Sequence, residues 1–255
     1  MRSRIILLTV LFTSIQSLFA GDKPQDKLLT AQRFQQTVTK EVAADYLLFL
    51  PQDYQAKPAD KWPLLLFLHG AGERGADVWK TDFHGPSKYI LEHPEFPFIL
   101  VSPLCASNET WSSERLFLLL EHVEKTLRVD ERRIYLTGIS MGGYGTWDML
   151  LERPEKFAAA IPICGGADSL PIILAKAGYA PREKVEALKS LPIWVFHGAK
   201  DPTVPPEESQ RAVGALKDLG VREIYLTLYP EAQHDSWTRT YNNPEIYSWL
   251  LKHSR

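Results

Sequence analysis

Cysteine is scarce in this chain of 255 residues, which contains only Cys105 and Cys164. Two cysteines are too few for a disulfide scaffold, and neither belongs to a C-x-x-C pair of the kind that binds zinc or carries out redox chemistry. A glycine-rich phosphate loop and a dinucleotide fingerprint are also absent. The cysteines and glycines therefore give no sign of a thiolate-bound metal or of a nucleotide cofactor, and no cofactor is expected.

Charge of one sign does not accumulate along the chain, whose formal net charge is -2. A basic stripe interleaved with aromatic residues is missing, so nucleic acid is not an expected partner. An apolar run at residues 5–12 follows Arg2 and Arg4, and the segment finishes on Ala20, which is the layout of a secretory signal peptide. This run is too short to span a bilayer comfortably. We expect cleavage after Ala20, a secreted or periplasmic location, and no stable membrane insertion afterwards.

Strand-like and helix-like segments alternate through the rest of the chain, and residues 21–255 are expected to form a single domain. Most strand candidates are near-continuous apolar runs, as in parallel strands that are covered on both faces. The alternation predicts an α/β fold with a mostly parallel central sheet and helices on both faces. The predicted strands are residues 46–50, 63–68, 98–102, 133–137, 157–163, 193–197 and 223–229, and the predicted helices are residues 112–129, 181–188, 206–219 and 244–252.

A serine between glycines stands where one of these strands meets a helical pattern, in RIYLTGISMGGYGTWDML. Gly138, Ser140 and Gly142 form G-x-S-x-G, the nucleophile elbow, in which the serine takes a strained conformation and small neighbours let strand and helix approach closely. The functional interpretation is a nucleophilic hydroxyl above a sheet. The alternative is a tight glycine turn in which the serine is incidental.

Reactive residue types follow several predicted strands, at the sheet edge where ligands bind in open α/β folds. Ser140 follows one strand, Asp201 lies in HGAKDPTVP after the next-to-last strand, and His234 lies in PEAQHDSW after the last one. Serine, acid and histidine in this chain order are typical of α/β-hydrolases. We predict that His234 accepts the proton of Ser140 and that Asp201 fixes the histidine tautomer.

Other residues compete for these roles. Asp168 and Asp235 are alternatives to Asp201, although Asp235 adjoins the proposed base and its side chain should diverge from it. His69 and His197 end strands beside the predicted site, and we interpret them as hydrogen-bonded turn residues.

An oxyanion hole is predicted at two backbone N–H groups. The glycine-rich HGAGERG turn at residues 69–75 exposes main-chain donors, and the residue after the nucleophile supplies the second donor in this kind of elbow. The predicted donors are Ala71 and Met141.

The segments YLLFLPQDY, WPLLLFLHGAGERG, LTGISMGGYGTWDML, LPIWVFHGAKDPTVP and AQHDSW together resemble a family. They are similar to the secreted esterases of the α/β-hydrolase superfamily that are grouped with feruloyl esterases, polyhydroxybutyrate depolymerases and predicted peptidases related to prolyl oligopeptidase. The resemblance runs from about residue 45 to the C-terminus. It implies the triad Ser140, Asp201 and His234, a metal-free mechanism and ester hydrolysis. It also implies a tryptophan at the position of Trp111, where an aromatic ring could stack on a sugar or aryl group or simply pack.

The sequence thus predicts a secreted serine carboxylesterase that acts on small or polysaccharide-linked esters through an acyl-enzyme. A serine peptidase and a catalytically inactive binding module are the alternatives. Two structural expectations accompany this prediction. In the usual hydrolase strand order, two strands separate the ends that carry Cys105 and Cys164, so both thiols should be free. Residues 169–180 exceed what an α/β connection needs. We expect them to form a small cap over the cleft, with Leu170, Ile173 or Tyr179 lining the pocket, and the alternative is that they only pack on a neighbouring helix.

Overall fold

The structure is a computed structural model that describes residues 32–255. Residues 42–255 form one compact unit, and residues 32–41 contain no helix or strand. The expected signal peptide, residues 1–20, lies outside the described residues. Within the described part of the chain, no helix combines the length and the apolar character that crossing a membrane requires.

Seven strands form a single sheet in the order β1-β3-β2-β4-β5-β6-β7. Six strands run parallel, and β1 at one edge pairs antiparallel with β3. The strands are β1 (Tyr46–Phe49), β2 (Trp62–Leu68), β3 (Ile99–Pro103), β4 (Val129–Ile139), β5 (Ala159–Ile163), β6 (Ile193–Gly198) and β7 (Ile224–Tyr229).

Helices cover both faces of this sheet, and each face has its own apolar core. Alternation along β2 shows the division, since Leu64, Leu66 and Leu68 pack into one core while Leu65 and Phe67 pack into the other. The helices are α1 (Gly85–Tyr89), α2 (Ser113–Thr126), α3 (Met141–Glu152), α4 (Ser169–Lys176), α5 (Arg182–Ser190), α6 (Glu207–Leu219), α7 (Trp237–Tyr241) and α8 (Glu245–Leu251). Short 3-10 turns lie at Gln52–Tyr54, Ala71–Glu73, Val78–Asp82 and Pro154–Lys156.

The first core contains residues from α2 to α6, and the second contains residues from α7 and α8. The predicted fold class is therefore confirmed: a mostly parallel sheet is covered by helices on both faces. Apolar side chains fill both sides of each central strand, as the continuous hydrophobic runs require.

All seven predicted strands are present, with ends that shift by one or two residues except in β4. That strand begins at Val129, where the prediction placed the end of a helix. The helix α2 has the expected cap, because the Ser112 hydroxyl accepts from the N–H of Arg115, but it ends at Thr126. Leu127 is already extended, and Trp62 pairs with Val129 across a register shift. The prediction missed this extension because residues 130–133 are all charged and do not form an apolar run.

The two cysteines are buried and free, as predicted. Cys105 follows β3 and Cys164 follows β5, and strands β2 and β4 lie between them. Three strand spacings exceed the reach of a disulfide, so the strand order itself keeps the thiols apart.

Candidate active site

Ser140 lies on a strained turn between β4 and α3. Its backbone angles are φ 51° and ψ -115°, a combination that costs a non-glycine residue free energy and persists only when the surroundings impose it. Its N–H donates to the carbonyl oxygen of Ile163 at 3.0 Å, and the Sγ of Cys164 lies 3.3 Å from the same nitrogen. The backbone of Cys164 also has a positive φ, 42°, which is rare for a residue other than glycine. The ends of β4 and β5 therefore hold the serine turn together.

The glycines beside Ser140 are required by close backbone approach. A Cβ atom at Gly138 would lie 2.3 Å from the carbonyl oxygen of Gly142, and one at Gly142 would lie 2.0 Å from the carbonyl oxygen of Leu68. Neither gap admits a methyl group, because both obstacles are main-chain atoms. The prediction that small residues let strand and helix approach closely is confirmed.

The structure brings Ser140, His234 and Asp201 into one hydrogen-bonded chain. Nε2 of His234 lies 3.0 Å from Oγ of Ser140, and Nδ1 of the same ring lies 2.7 Å from Oδ2 of Asp201. Since an ionised carboxylate only accepts, Nδ1 carries the hydrogen, and Nε2 is free to accept from the serine hydroxyl. This is the arrangement that makes a serine hydroxyl nucleophilic.

Asp201 is buried, and its environment keeps it charged. Burial raises the pKa of this carboxyl, but hydrogen bonds from His234 and from the N–H groups of Val204 and Thr203 outweigh burial and leave the pKa below its ordinary value. The two N–H groups donate to Oδ1 at 3.0 and 2.8 Å, so Oδ2 faces the imidazole. The carboxylate can therefore stabilise an imidazolium when one forms.

Neither alternative to Asp201 forms a hydrogen bond with the His234 imidazole. Asp168 accepts from the N–H of Leu170 and caps α4, and Asp235 accepts from the N–H and the hydroxyl of Thr238 at the start of α7. Both carboxylates therefore accept hydrogen bonds from groups at the start of a nearby helix.

A histidine that the sequence analysis treated as a turn residue contacts the acid. His197 is fully buried at the end of β6, and its Nε2 lies 3.2 Å from Oδ2 of Asp201 and 2.9 Å from the carbonyl oxygen of Val204. Its Nδ1 lies 2.8 Å from Oγ of Ser209, and the same hydroxyl oxygen lies 2.9 Å from the carbonyl oxygen of Gly165. The sequence signal was the spacing HGAKD, which places His197 four residues before Asp201.

The two predicted oxyanion donors start neighbouring turns. Met141 is the first residue of α3, where N–H groups have no partner within the helix. Ala71 starts the 3-10 turn that follows β2. The main chain of Leu68 and His69 lies directly against Gly142, which brings the end of β2 next to the start of α3.

Trp111 braces the turn that contains Ala71 and also lines a cleft. Its indole N–H donates to the carbonyl oxygen of His69 at 3.1 Å, and its ring meets the His69 imidazole edge-to-face. On its other side, a cleft of about 440 Å³ extends along α3 from Met141. Trp111 therefore packs on this turn and lines the cleft, and its stacking on a sugar or aryl group stays a prediction.

His69 has a fixed tautomer. Its Nε2 accepts from the N–H of Cys105 at 3.0 Å, so the hydrogen is on Nδ1, which faces the carbonyl oxygen of Gly70. Burial lowers the pKa of this imidazole, so it stays neutral and structural, as expected of a turn residue.

The sheet order, the elbow after β4 and the hydrogen-bonded chain at the carboxyl ends of the strands define the class: this is an α/β-hydrolase fold. A solved structure of a thermostable esterase is 38% identical and superposes with a TM-score of 0.65, over 82% of this chain and 59% of that one. A solved ferulic acid esterase, 21% identical, superposes with a TM-score of 0.61 over 80% of this chain and 89% of that one.

A family model described as phospholipase/carboxylesterase matches residues 112–250, more than half of the chain. The chain belongs to this family. Among curated proteins, the probable feruloyl esterase C of Aspergillus niger is 24% identical, over 77% of this chain and 69% of its own length. The bifunctional acetylxylan esterase/xylanase of Neocallimastix patriciarum is also 24% identical, over 73% of this chain. This chain spans only about a quarter of the length of several such relatives.

Proposed function

We propose that this protein is a secreted serine carboxylesterase that hydrolyses small or polysaccharide-linked esters through an acyl-enzyme. The observation that carries the proposal is the geometry of one imidazole, which lies within hydrogen-bond distance of both the Ser140 hydroxyl and the Asp201 carboxylate. Membership of the phospholipase/carboxylesterase family supports it.

In the proposed reaction, Oγ of Ser140 attacks the ester carbonyl while Nε2 of His234 takes the hydroxyl proton. The N–H groups of Met141 and Ala71 stabilise the oxyanion, and losing one such donor typically raises the barrier by about 3 kcal/mol. His234 then returns the proton to the departing alcohol, which leaves an ester of Ser140. Water, deprotonated by His234, releases the acid and restores the serine. Asp201 stabilises the imidazolium both when the acyl-enzyme forms and when water hydrolyses it.

Export is part of the proposal. The charged start, apolar run and Ala20 of residues 1–20 support it, and a secreted protein of Arthroderma benhamiae is 28% identical over 65% of this chain. Residues 169–180 are proposed to form a small cap over the cleft, since Leu170 and Ile173 of α4 and Tyr179 beyond it are exposed, while Ile172 anchors the helix in the core.

A serine peptidase is the second candidate. Dipeptidyl peptidase family member 6 of Caenorhabditis elegans is 26% identical over 51% of this chain, and the same triad can cleave amides. The test is a comparison of kcat/KM for aryl esters of increasing acyl length, methyl ferulate, acetylated xylan and a prolyl peptide. We expect an ester to be the best substrate, and preference for the peptide would reverse the ranking.

A further inference from the structure

Trp237 lies beside the His234 imidazole, although the proposed proton transfers do not involve it. The two rings meet edge-to-face, with centroids 5.3 Å apart and planes at 87°. Hydrogen bonds to Ser140 and Asp201 fix the two ring nitrogens of His234, but the residue itself lies in the loop between β7 and α7. The tryptophan therefore supplies a lateral contact that limits how far the imidazole can tilt, since packing locks a side chain that hydrogen bonds orient.

Trp237 also meets a second imidazole, that of His84, with centroids 5.6 Å apart. The main chain after His84 is pinned to β2, because Gly85 has φ 74° and a Cβ there would lie 2.3 Å from the Phe67 ring. The same Phe67 ring meets Tyr241, the last residue of α7, edge-to-face at 5.7 Å. One residue of β2 thus holds both the chain that carries His84 and the helix that carries Trp237.

The buried carboxylate of Glu73 faces His84 from the turn of the predicted oxyanion donor. Glu73 is 8% exposed, and its Oε1 lies 3.6 Å from Nε2 of His84, while its Oε2 lies 3.8 Å from Nδ1 of His69. The hydrogen on Nδ1 of His69 faces the carbonyl oxygen of Gly70, so His84 is the imidazole that can direct a hydrogen to the carboxylate. Since Glu73 ends the turn that begins at Ala71, a series of contacts runs from this turn to the catalytic base.

We propose that Trp237 is a positioning residue for His234 and acts mainly on delivery of the proton to the departing alcohol. His84 and Glu73 hold the tryptophan in place. Nε2 of His234 first faces the serine hydroxyl and then the alcohol oxygen, so the ring needs a fixed tilt while its partner on that side changes. The acid fixes only the opposite nitrogen, whereas the contact with Trp237 persists through both steps. This inference rests on the proposed esterase function.

The test compares two esters of one acid that differ in the leaving group. 4-Nitrophenolate departs without a proton, whereas ethoxide has to be protonated as it leaves. The ratio of kcat/KM for ethyl butyrate to that for 4-nitrophenyl butyrate therefore measures proton delivery, and a general loss of active protein cancels. Trp237→Leu should lower this ratio by about threefold to tenfold, the size of one aromatic contact. Trp237→Phe keeps an aromatic ring and should restore most of the ratio.

The chain offers a matched control in Trp249, whose ring contacts His253, a histidine outside the triad, at 4.6 Å between centroids. Trp249→Leu should leave the ratio unchanged. His84→Ala and Glu73→Gln should both lower the ratio, by less than Trp237→Leu, because they remove support for the tryptophan rather than its contact with the base.

An unchanged ratio in Trp237→Leu, or an equal fall in Trp249→Leu, would overturn the proposal. If Trp237→Leu does not fold, His84→Ala decides in the same way, because the half-buried His84 side chain can be removed without opening the core. Fluorophosphonate labelling separates this failure from failure of the proposed function. An intact protein that takes the label on Ser140 and hydrolyses the 4-nitrophenyl ester retains the esterase function even if the ratio does not move. An intact protein that does neither contradicts both proposals.

Discussion

At the turn that carries Ser140, one added methyl group has no room, whereas along residues 169–180 several large apolar side chains face solvent. The turn is held by main-chain atoms of β2, β4 and β5, and its strained serine depends on all three. The helix α4 is held by one fully buried residue, Ile172, and by an ion pair between Lys176 and Asp218 of α6. The proposed chemistry therefore lies where the surroundings fix the backbone, and the proposed cap segment lies where they do not.

The largest effect should follow from Asp201→Asn, which keeps the shape of the acid but removes its charge. We expect kcat to fall by about 10³- to 10⁴-fold, because the amide neither fixes the imidazole tautomer nor stabilises the imidazolium. Steady-state kinetics on an aryl ester measures this. A loss below about tenfold would assign the acid role elsewhere.

The same variant gives a pH dependence of stability. The folded pKa of Asp201 is below its ordinary value, so this group's contribution to stability is present above about pH 4 and is lost as the pH falls through the lower folded pKa. The difference in free energy of unfolding between the intact protein and Asp201→Asn should therefore shrink in acid. Urea titrations from pH 3 to 7 test it, and a difference that grows in acid would contradict the sign.

A matched pair of glycine substitutions tests the constraint at the elbow. Gly142→Ala places a methyl group against the Leu68 carbonyl, so we expect a loss of about 3 kcal/mol in the free energy of unfolding and a drop in activity. Gly214→Ala in α6 meets nothing within 4 Å, so it should stabilise the protein by about 0.5–1 kcal/mol through helix propensity. Equal effects at both positions would mean that the elbow is looser than described.

A smaller effect on activity is expected for His197→Phe. The change removes the buried donor beside Oδ2 of Asp201 while the bonds from His234, Thr203 and Val204 remain, so the carboxylate is held less firmly rather than lost. As a positioning residue, His197 should affect kcat by about ten- to hundredfold and leave KM nearly unchanged. Ser209→Ala changes the next residue of the hydrogen-bonded network after His197, so it should lower kcat by less. A variant with full kcat would show that His197 only fills space.

The smallest effect on stability should come from residues 169–180. Replacing them with a short glycine linker removes one buried side chain, so the melting temperature should fall by only a few degrees while the ranking of esters by acyl length changes. Melting curves and the ester panel are the measurements. Unfolding, or an unchanged ranking, would assign a purely structural role to the segment.

Sequence patterns predicted the sheet because each central strand is a continuous apolar run, and they predicted the elbow because G-x-S-x-G has a specific steric reason. The short helices α1 and α7 were not predicted, because five residues are too few to show a helical period. The contact of Cys164 with the Ser140 nitrogen escaped for another reason, because it joins the ends of two strands that are 24 residues apart in sequence and adjacent in space. The contact of His197 with Asp201 spans only four residues, but that spacing alone does not distinguish it from an ordinary turn.

The central claim is that Ser140 is a nucleophile activated by His234, and covalent labelling tests it most directly. The intact protein should gain one equivalent of a fluorophosphonate by mass spectrometry, with the added mass on the peptide that contains Ser140. Ser140→Ala should take no label, and His234→Ala should react far more slowly. A folded, intact protein that remains unlabelled, or a label on a different serine, would contradict the account.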